Sequence, residues 1–277
     1  MNQTFSSARF GRLLRKFFRD NGWSLVSMVG VLFVILAVSL SLMVYKNPPN
    51  SVESSRLVGF LGLSLVLWPL FTHQIAADYN NRDQALSALM LPASLFEKWL
   101  VLWVVSGLGF VLCFFSFFTL IDAIGTYYVN HRDWPQATLD YFTQRHISRT
   151  IDRVDFTELR KTPIWAVWLM LHPFTLAATL LFRKYTLAIG VFVGILLFGA
   201  VFTLNQYYVQ LMLGESVTVN NVFPFAGFGV MKETASGPFH YLTLPQPIGN
   251  IIRWTVGIAA VGLLYAVAYF RLKEREV

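Results

Sequence analysis

Charge and cysteine are scarce in this chain. Of 277 residues only 13% are Asp, Glu, Lys or Arg, and Cys113 is the single cysteine. One cysteine excludes an intrachain disulfide framework and a thiol-rich metal site. Also missing is Gly-x-x-x-x-Gly-Lys followed by Ser or Thr, the loop whose amides cradle phosphates, so the sequence carries no ATP-hydrolysing site of that kind. Ser, His and Asp are present, but no nucleophile-elbow pattern arranges them for hydrolysis. Neither a catalytic nor a metal residue is assigned.

What is abundant is apolar surface: 55% of the residues are hydrophobic, with 25 Phe and 8 Trp. That composition belongs to a polytopic membrane protein rather than a soluble domain. The excess of Lys and Arg, 22 against 15 acids, then reports orientation before it reports nucleic acid, and no nucleic-acid partner is expected.

A spanning helix needs about 20 mainly apolar residues. Six stretches qualify: Trp23 to Tyr45, Leu57 to Ala77, Trp99 to Ile121, Pro163 to Phe182, Tyr185 to Tyr207 and Ile251 to Phe270. They lack the alternation of barrel strands, so the expected fold class is an all-α membrane protein with six transmembrane helices. The first run has too long an apolar core for a cleavable signal and is expected to stay as an anchor. Basic residues in "RFGRLLRKFFRD", "FRK" and "RLKER" flank short segments on one side, so both termini are predicted to be cytoplasmic.

Before the first span, Phe10, Leu13, Leu14, Phe17 and Phe18 recur at helical spacing among Arg9, Arg12, Arg15, Lys16 and Arg19. Residues 5–20 read as a basic amphipathic helix lying in the headgroup layer against membrane lipids; a topology signal that happens to be amphipathic is the other reading.

Residues 78–98 are the largest internal cytoplasmic segment. Ala85, Leu86, Leu89 and Met90 give a short helix with one apolar stripe, which Pro92 should end. Ser94 stands three residues before Glu97, the capping-box spacing, and should start the third span. A rigid hairpin explains this layout; so does a knob for a cytosolic partner.

The stretch "ALMLPASLFEKWL" resembles the loop before the third span in membrane subunits of ATP-binding-cassette transporters of the type-2 permease class. The layout also resembles that family over most of the chain: amphipathic start, six spans, both ends inside. The resemblance implies an exporter subunit of the bacterial inner membrane, paired with a second permease copy or paralogue and driven by cytosolic ATPase subunits that hold ATP and Mg. It implies that Asp83, Leu86, Leu89, Met90 and Leu91 form a coupling helix docked on the ATPase. A non-transporting anchor or assembly scaffold is the alternative, because the outer loop 122–162 is longer than the family's usual connection. Leu139, Phe142, Ile147, Ile151 and Val154 give that loop a candidate buried side.

The second outer loop, 208–250, is broken by Gly and Pro. The resemblance implies a pair of short re-entrant helices there; an irregular cap over the bundle is the other reading.

The spans carry almost no ionisable groups. His172, followed by Pro173, is the conspicuous one, expected to hydrogen-bond a neighbouring helix or to contact substrate. His73 reads as interfacial. His131, Asp133, Asp140 and His146 have no compact zinc spacing. Gly190 and Gly194 have the spacing of a helix-packing motif, within one bundle or between two permeases.

Overall fold

The computed structural model describes residues 5–46, 49–80, 92–146, 148–157, 164–182, 184–213, 230–234, 237–242 and 248–275. Its helices are α1 (Ser7–Lys46), α2 (Pro49–Ala76), α3 (Leu95–Trp103), α4 (Phe110–His131), α5 (Gln136–Gln144), α6 (Ile164–Leu181), α7 (Thr186–Leu213) and α8 (Ile248–Glu274). Two short strands, β1 (Val230–Thr234) and β2 (Gly237–Leu242), complete the described elements.

Among the described residues, five helical stretches are long and apolar enough to cross a membrane: Ser7–Val44, Ser55–Asn80, Leu95–His131, Thr186–Tyr208 and Trp254–Glu274. A sixth apolar stretch, Val167–Leu181 within α6, is shorter. The protein is therefore membrane-embedded and helical, with a single β-hairpin among the described residues. Only 6% of the most apolar window of α7 is buried inside the chain, an apolar exposure that lipid or another membrane helix has to cover.

The chain divides into two compact units, 1–75 with 91–156, and 76–90 with 157–277. In the first unit, α1 runs 40 residues without a break at Asn21 or Gly22. At 1.5 Å per residue it extends about 60 Å, twice a hydrocarbon core of about 30 Å. The expected amphipathic stretch and the first expected span thus lie on one continuous helix, with the basic residues in its opening turns.

Helices α3 and α4 form one rod, joined by a single π turn at Val104–Gly109. The turn has a local cause. Ser106 Oγ donates to the Leu102 carbonyl (2.6 Å), and Trp68 Nε1 of α2 donates to the Ser106 carbonyl (3.1 Å). Side chains thus take up backbone partners that a regular ladder uses, the usual origin of such bulges.

Below that turn, Phe110, Phe114 and Phe118 recur every four residues and stack along one face of α4, all buried. Phe60 of α2 lies 5.3 Å from Phe114 and 5.0 Å from Phe118, and Phe156 closes on Phe60 at 5.1 Å. Aromatic pairs at these distances each add about 0.5–1.5 kcal/mol beyond area burial. The dense Phe face is therefore a packing face of the first unit. Gly125 lets α1 approach α4, since a Cβ there would stand 3.1 Å from Val44 Cγ2.

In the segment that follows α4, α5 buries Phe142 edge-on against Trp134, 5.2 Å between rings. His146, at φ 52°, ends the helical stretch in the left-handed region. Residues 151–154 then return as an extended strap that buries Ile151 with Val44, Val52 and Val129. Leu139 and Val154 are half-buried, as a shared inner side requires; Ile147 lies outside the described residues.

The second unit packs α6 against α7 and α8. A Cβ on Gly190 would meet Ala178 at 3.2 Å, and one on Gly194 would meet the Phe174 ring at 3.1 Å. Both glycines thus serve contact within the chain. Gly199 faces open space. The 230–242 segment is an antiparallel hairpin, Val230 opposite Leu242 and Lys232 opposite His240. That departs from the re-entrant helices implied by the resemblance; "VMKET" and "PFHYL" are rich in β-branched and aromatic residues with a short connection, which favours strands.

Candidate functional site

Residues 83, 86 and 89–91, the proposed coupling contact of Asp83, Leu86, Leu89, Met90 and Leu91, lie outside the described residues. Their two flanks are described. On one side, residues 77–80 form a 3-10 turn that continues α2. On the other, Ser94 and Glu97 make the expected capping box: Glu97 N donates to Ser94 Oγ (3.3 Å) and Ser94 N donates to Glu97 Oε2 (2.9 Å).

Glu97 does more than cap. Its Oε1 accepts from the Ser6 backbone N–H (2.7 Å) and lies 3.2 Å from Arg9 Nη2, with Glu97 fully buried. A single carboxylate therefore binds the starts of α1 and α3 together. The capping half was legible at fixed spacing; the bond to Ser6 and Arg9, 91 and 88 residues away, carries no local signal.

His172 is buried, and its Nδ1 lies 2.8 Å from Tyr265 Oη, joining α6 to α8. This is the helix-to-helix bond expected of it. Nearby, Arg275 donates to the Leu180 carbonyl (2.6 Å) at the end of α6 and to the Tyr79 carbonyl in the 3-10 turn. A cation thus meets the negative end of α6, where it is favoured.

The centre that sequence reasoning missed is Arg56 with Asp122. Arg56 is 1% exposed and Asp122 is 5% exposed. Arg56 Nη1 donates to Asp122 Oδ1 (2.6 Å) and to Thr126 Oγ1 (3.0 Å), and Nη2 donates to the Asp152 carbonyl (2.6 Å). The other carboxylate oxygen accepts from Val154 N–H (3.1 Å). Asn130 pairs with both backbone groups of Ile151, accepting at 2.9 Å and donating at 3.1 Å. The pair thus holds α2 to α4 and pins the strap over both.

A signal for it exists. Arg56 falls one residue before the second predicted span and Asp122 one residue after the third, so antiparallel helices bring them to the same level. Reading flanking charges only for orientation hid the pair.

Beside it lies a cavity of about 350 Å³ bounded by Leu40, Ser41 and Val44 of α1 and by Ile124, Gly125 and Tyr128 of α4, with Arg56 and Asp122 in its wall. His131 stacks on Tyr127 and Asp140 accepts from Gln136, each a local contact. Among the described residues, no three His, Cys, Asp or Glu side chains converge as a metal site.

No family model, curated protein or solved structure matches this chain.

Proposed function

We propose that the chain is the membrane-spanning permease subunit of an ATP-binding-cassette transporter of the type-2 class, an exporter in the cell inner membrane. It has six spans with both termini cytoplasmic. It works beside a second copy or a paralogue, with two cytosolic ATPase subunits that bind ATP and Mg. The chain itself catalyses nothing; it receives motion.

The observation that carries this reading is Glu97. Residues 81–91 precede a helix start held by reciprocal hydrogen bonds, and the same carboxylate grips the first turn of α1. Displacement applied at Leu86 or Leu89 therefore reaches two spanning helices at once. The α3–α4 rod, about 40 Å from Leu95 to Asp122 at 1.5 Å per residue, carries it to the Arg56–Asp122 pair. The π turn at Val104–Gly109 supplies a place for the rod to bend.

The test is capture of the tagged chain from its native membrane in mild detergent. A stoichiometric ATPase with phosphate-loop and signature motifs supports the proposal. A second reading, a scaffold for an extracytoplasmic partner, is favoured by one feature: the outer segment is built and pinned, with Phe142 and Ile151 buried. Capture of extracytoplasmic proteins without an ATPase supports that reading instead.

A further inference from the structure

Segment 81–91 has two flanks, and a different residue holds each. Glu97 holds the flank on its carboxyl side. On the amino side stands the 3-10 turn Ala77–Asn80, and the side chain bound to its backbone comes from the far end of the chain: Arg275, 196 residues beyond Tyr79.

The tail "RLKER" has three cations, and they are not equivalent. Arg271 is exposed and pairs with Glu274, and Lys273 is exposed. Arg275 is half-buried, and its guanidinium divides between two backbone acceptors: Nη2 donates to the Leu180 carbonyl (2.6 Å) and Nη1 to the Tyr79 carbonyl. Both acceptors stand at helix ends. Leu180 is the penultimate residue of α6, and Tyr79 lies in the turn that continues α2. The last carbonyls of a helix receive no amide from their own helix. A guanidinium offers several donors in one rigid plane, so it can serve two such carbonyls at once, and its charge suits the negative pole that each helix end presents. The backbone of the arginine is tied as well: Arg275 N donates to the Leu272 carbonyl (3.2 Å), and Leu272 is fully buried. The turn, α6 and α8 all belong to the second compact unit.

We propose that Arg275 is a positioning residue: it clamps the turn at 77–80 to the ends of α6 and α8 and so sets where segment 81–91 begins. This role rests on the coupling function proposed above for 81–91; the clamp itself does not. Displacement at Leu89 then meets a support at both flanks, Glu97 on one side and Arg275 on the other. Without Arg275 the turn can rotate and absorb part of that displacement. The helices themselves stay formed.

The test compares the full wild-type chain with Arg275→Ala, Arg275→Lys and, as a control, Tyr265→Phe, which removes a bond between α6 and α8 outside the clamp. Hydrogen exchange read by mass spectrometry on the purified chain reports the clamp. Peptides covering 77–80 should exchange several-fold faster in Arg275→Ala, less so in Arg275→Lys, and at the wild-type rate in Tyr265→Phe. ATP hydrolysis by the complex purified with its ATPase reports the role. Arg275→Ala should lose most of the stimulation in an assembled complex, and Arg275→Lys should restore part of it. Tyr265→Phe should stimulate as the wild type does although it unfolds at a lower temperature. Circular dichroism checks the fold; if Arg275→Ala does not fold, Arg275→Lys gives the same comparison. Wild-type exchange over 77–80 in a folded Arg275 variant overturns the clamp. Faster exchange with full stimulation, or an equal loss of stimulation in Tyr265→Phe, overturns the positioning role. If no ATPase accompanies the wild type, the coupling reading fails and the positioning role with it, while the exchange comparison decides the clamp.

Discussion

Removing the Asp122 carboxylate leaves Arg56 charged and buried with only Thr126 and the Asp152 carbonyl to answer it. Breaking one partner of a buried pair costs about 3–5 kcal/mol, a shift of roughly two to three and a half powers of ten in the folding equilibrium. The Val154 N–H loses its acceptor in the same step. Asp122→Ala should therefore lower stability by that amount in a detergent-unfolding titration. Arg56→Met with Asp122→Leu is the informative comparison, because an apolar replacement of the whole pair removes the stranded charge. The double variant still loses the hydrogen bonds of the half-buried Asp152 carbonyl and Val154 N–H, roughly 1–3 kcal/mol together at about 0.5–1.5 each. It is expected to be more stable than Asp122→Ala. Trypsin offers a second readout: Arg153 is exposed on the strap, and cleavage there should quicken in both variants. A double variant no more stable than Asp122→Ala, or a single-variant loss below about 1 kcal/mol, refutes the assignment of the pair as the clamp.

Three further outcomes follow from contacts already described. Glu97→Ala should cost about 1–3 kcal/mol by releasing Ser6, Ser94 and Arg9 together, whereas Glu97→Gln keeps the capping box and should cost less; thermal unfolding of the two variants checks the order. Gly194→Leu should be destabilising by about 1–3 kcal/mol because its Cβ meets Phe174, while Gly199→Leu, facing open space, should be near neutral; equal effects would place the glycine contact elsewhere. Tyr265→Phe should lose about 0.5–1.5 kcal/mol through its bond to His172 and leave helicity unchanged, read by circular dichroism during unfolding.

Much of the architecture was legible because it rests on local rules. Apolar length marked the helices, and the Ser94 to Glu97 spacing marked the start of α3 to the residue. Phe142 and Ile151 were found as buried positions from periodicity alone. What was hidden depends on residues far apart in the chain. The anchoring of the first turn of α1 depends on Glu97, about 90 residues on. The π turn depends on Trp68 reaching Ser106. Arg56 and Asp122 each look like an ordinary flanking charge until the two helices are set side by side. For the hairpin, Gly and Pro signalled a broken helix but did not say what replaced it; strand-forming residues between them decide that.

The central claim is that motion enters this chain from an ATPase through residues 81–91. The most direct measurement is the ATP hydrolysis rate of the ATPase purified with the full chain, compared with the same complex carrying Leu89→Asp, which places a charge in the apolar stripe. The account predicts hydrolysis stimulated by the wild-type chain and unstimulated in a folded Leu89→Asp complex. A folded variant that stimulates hydrolysis as the wild type does would contradict it.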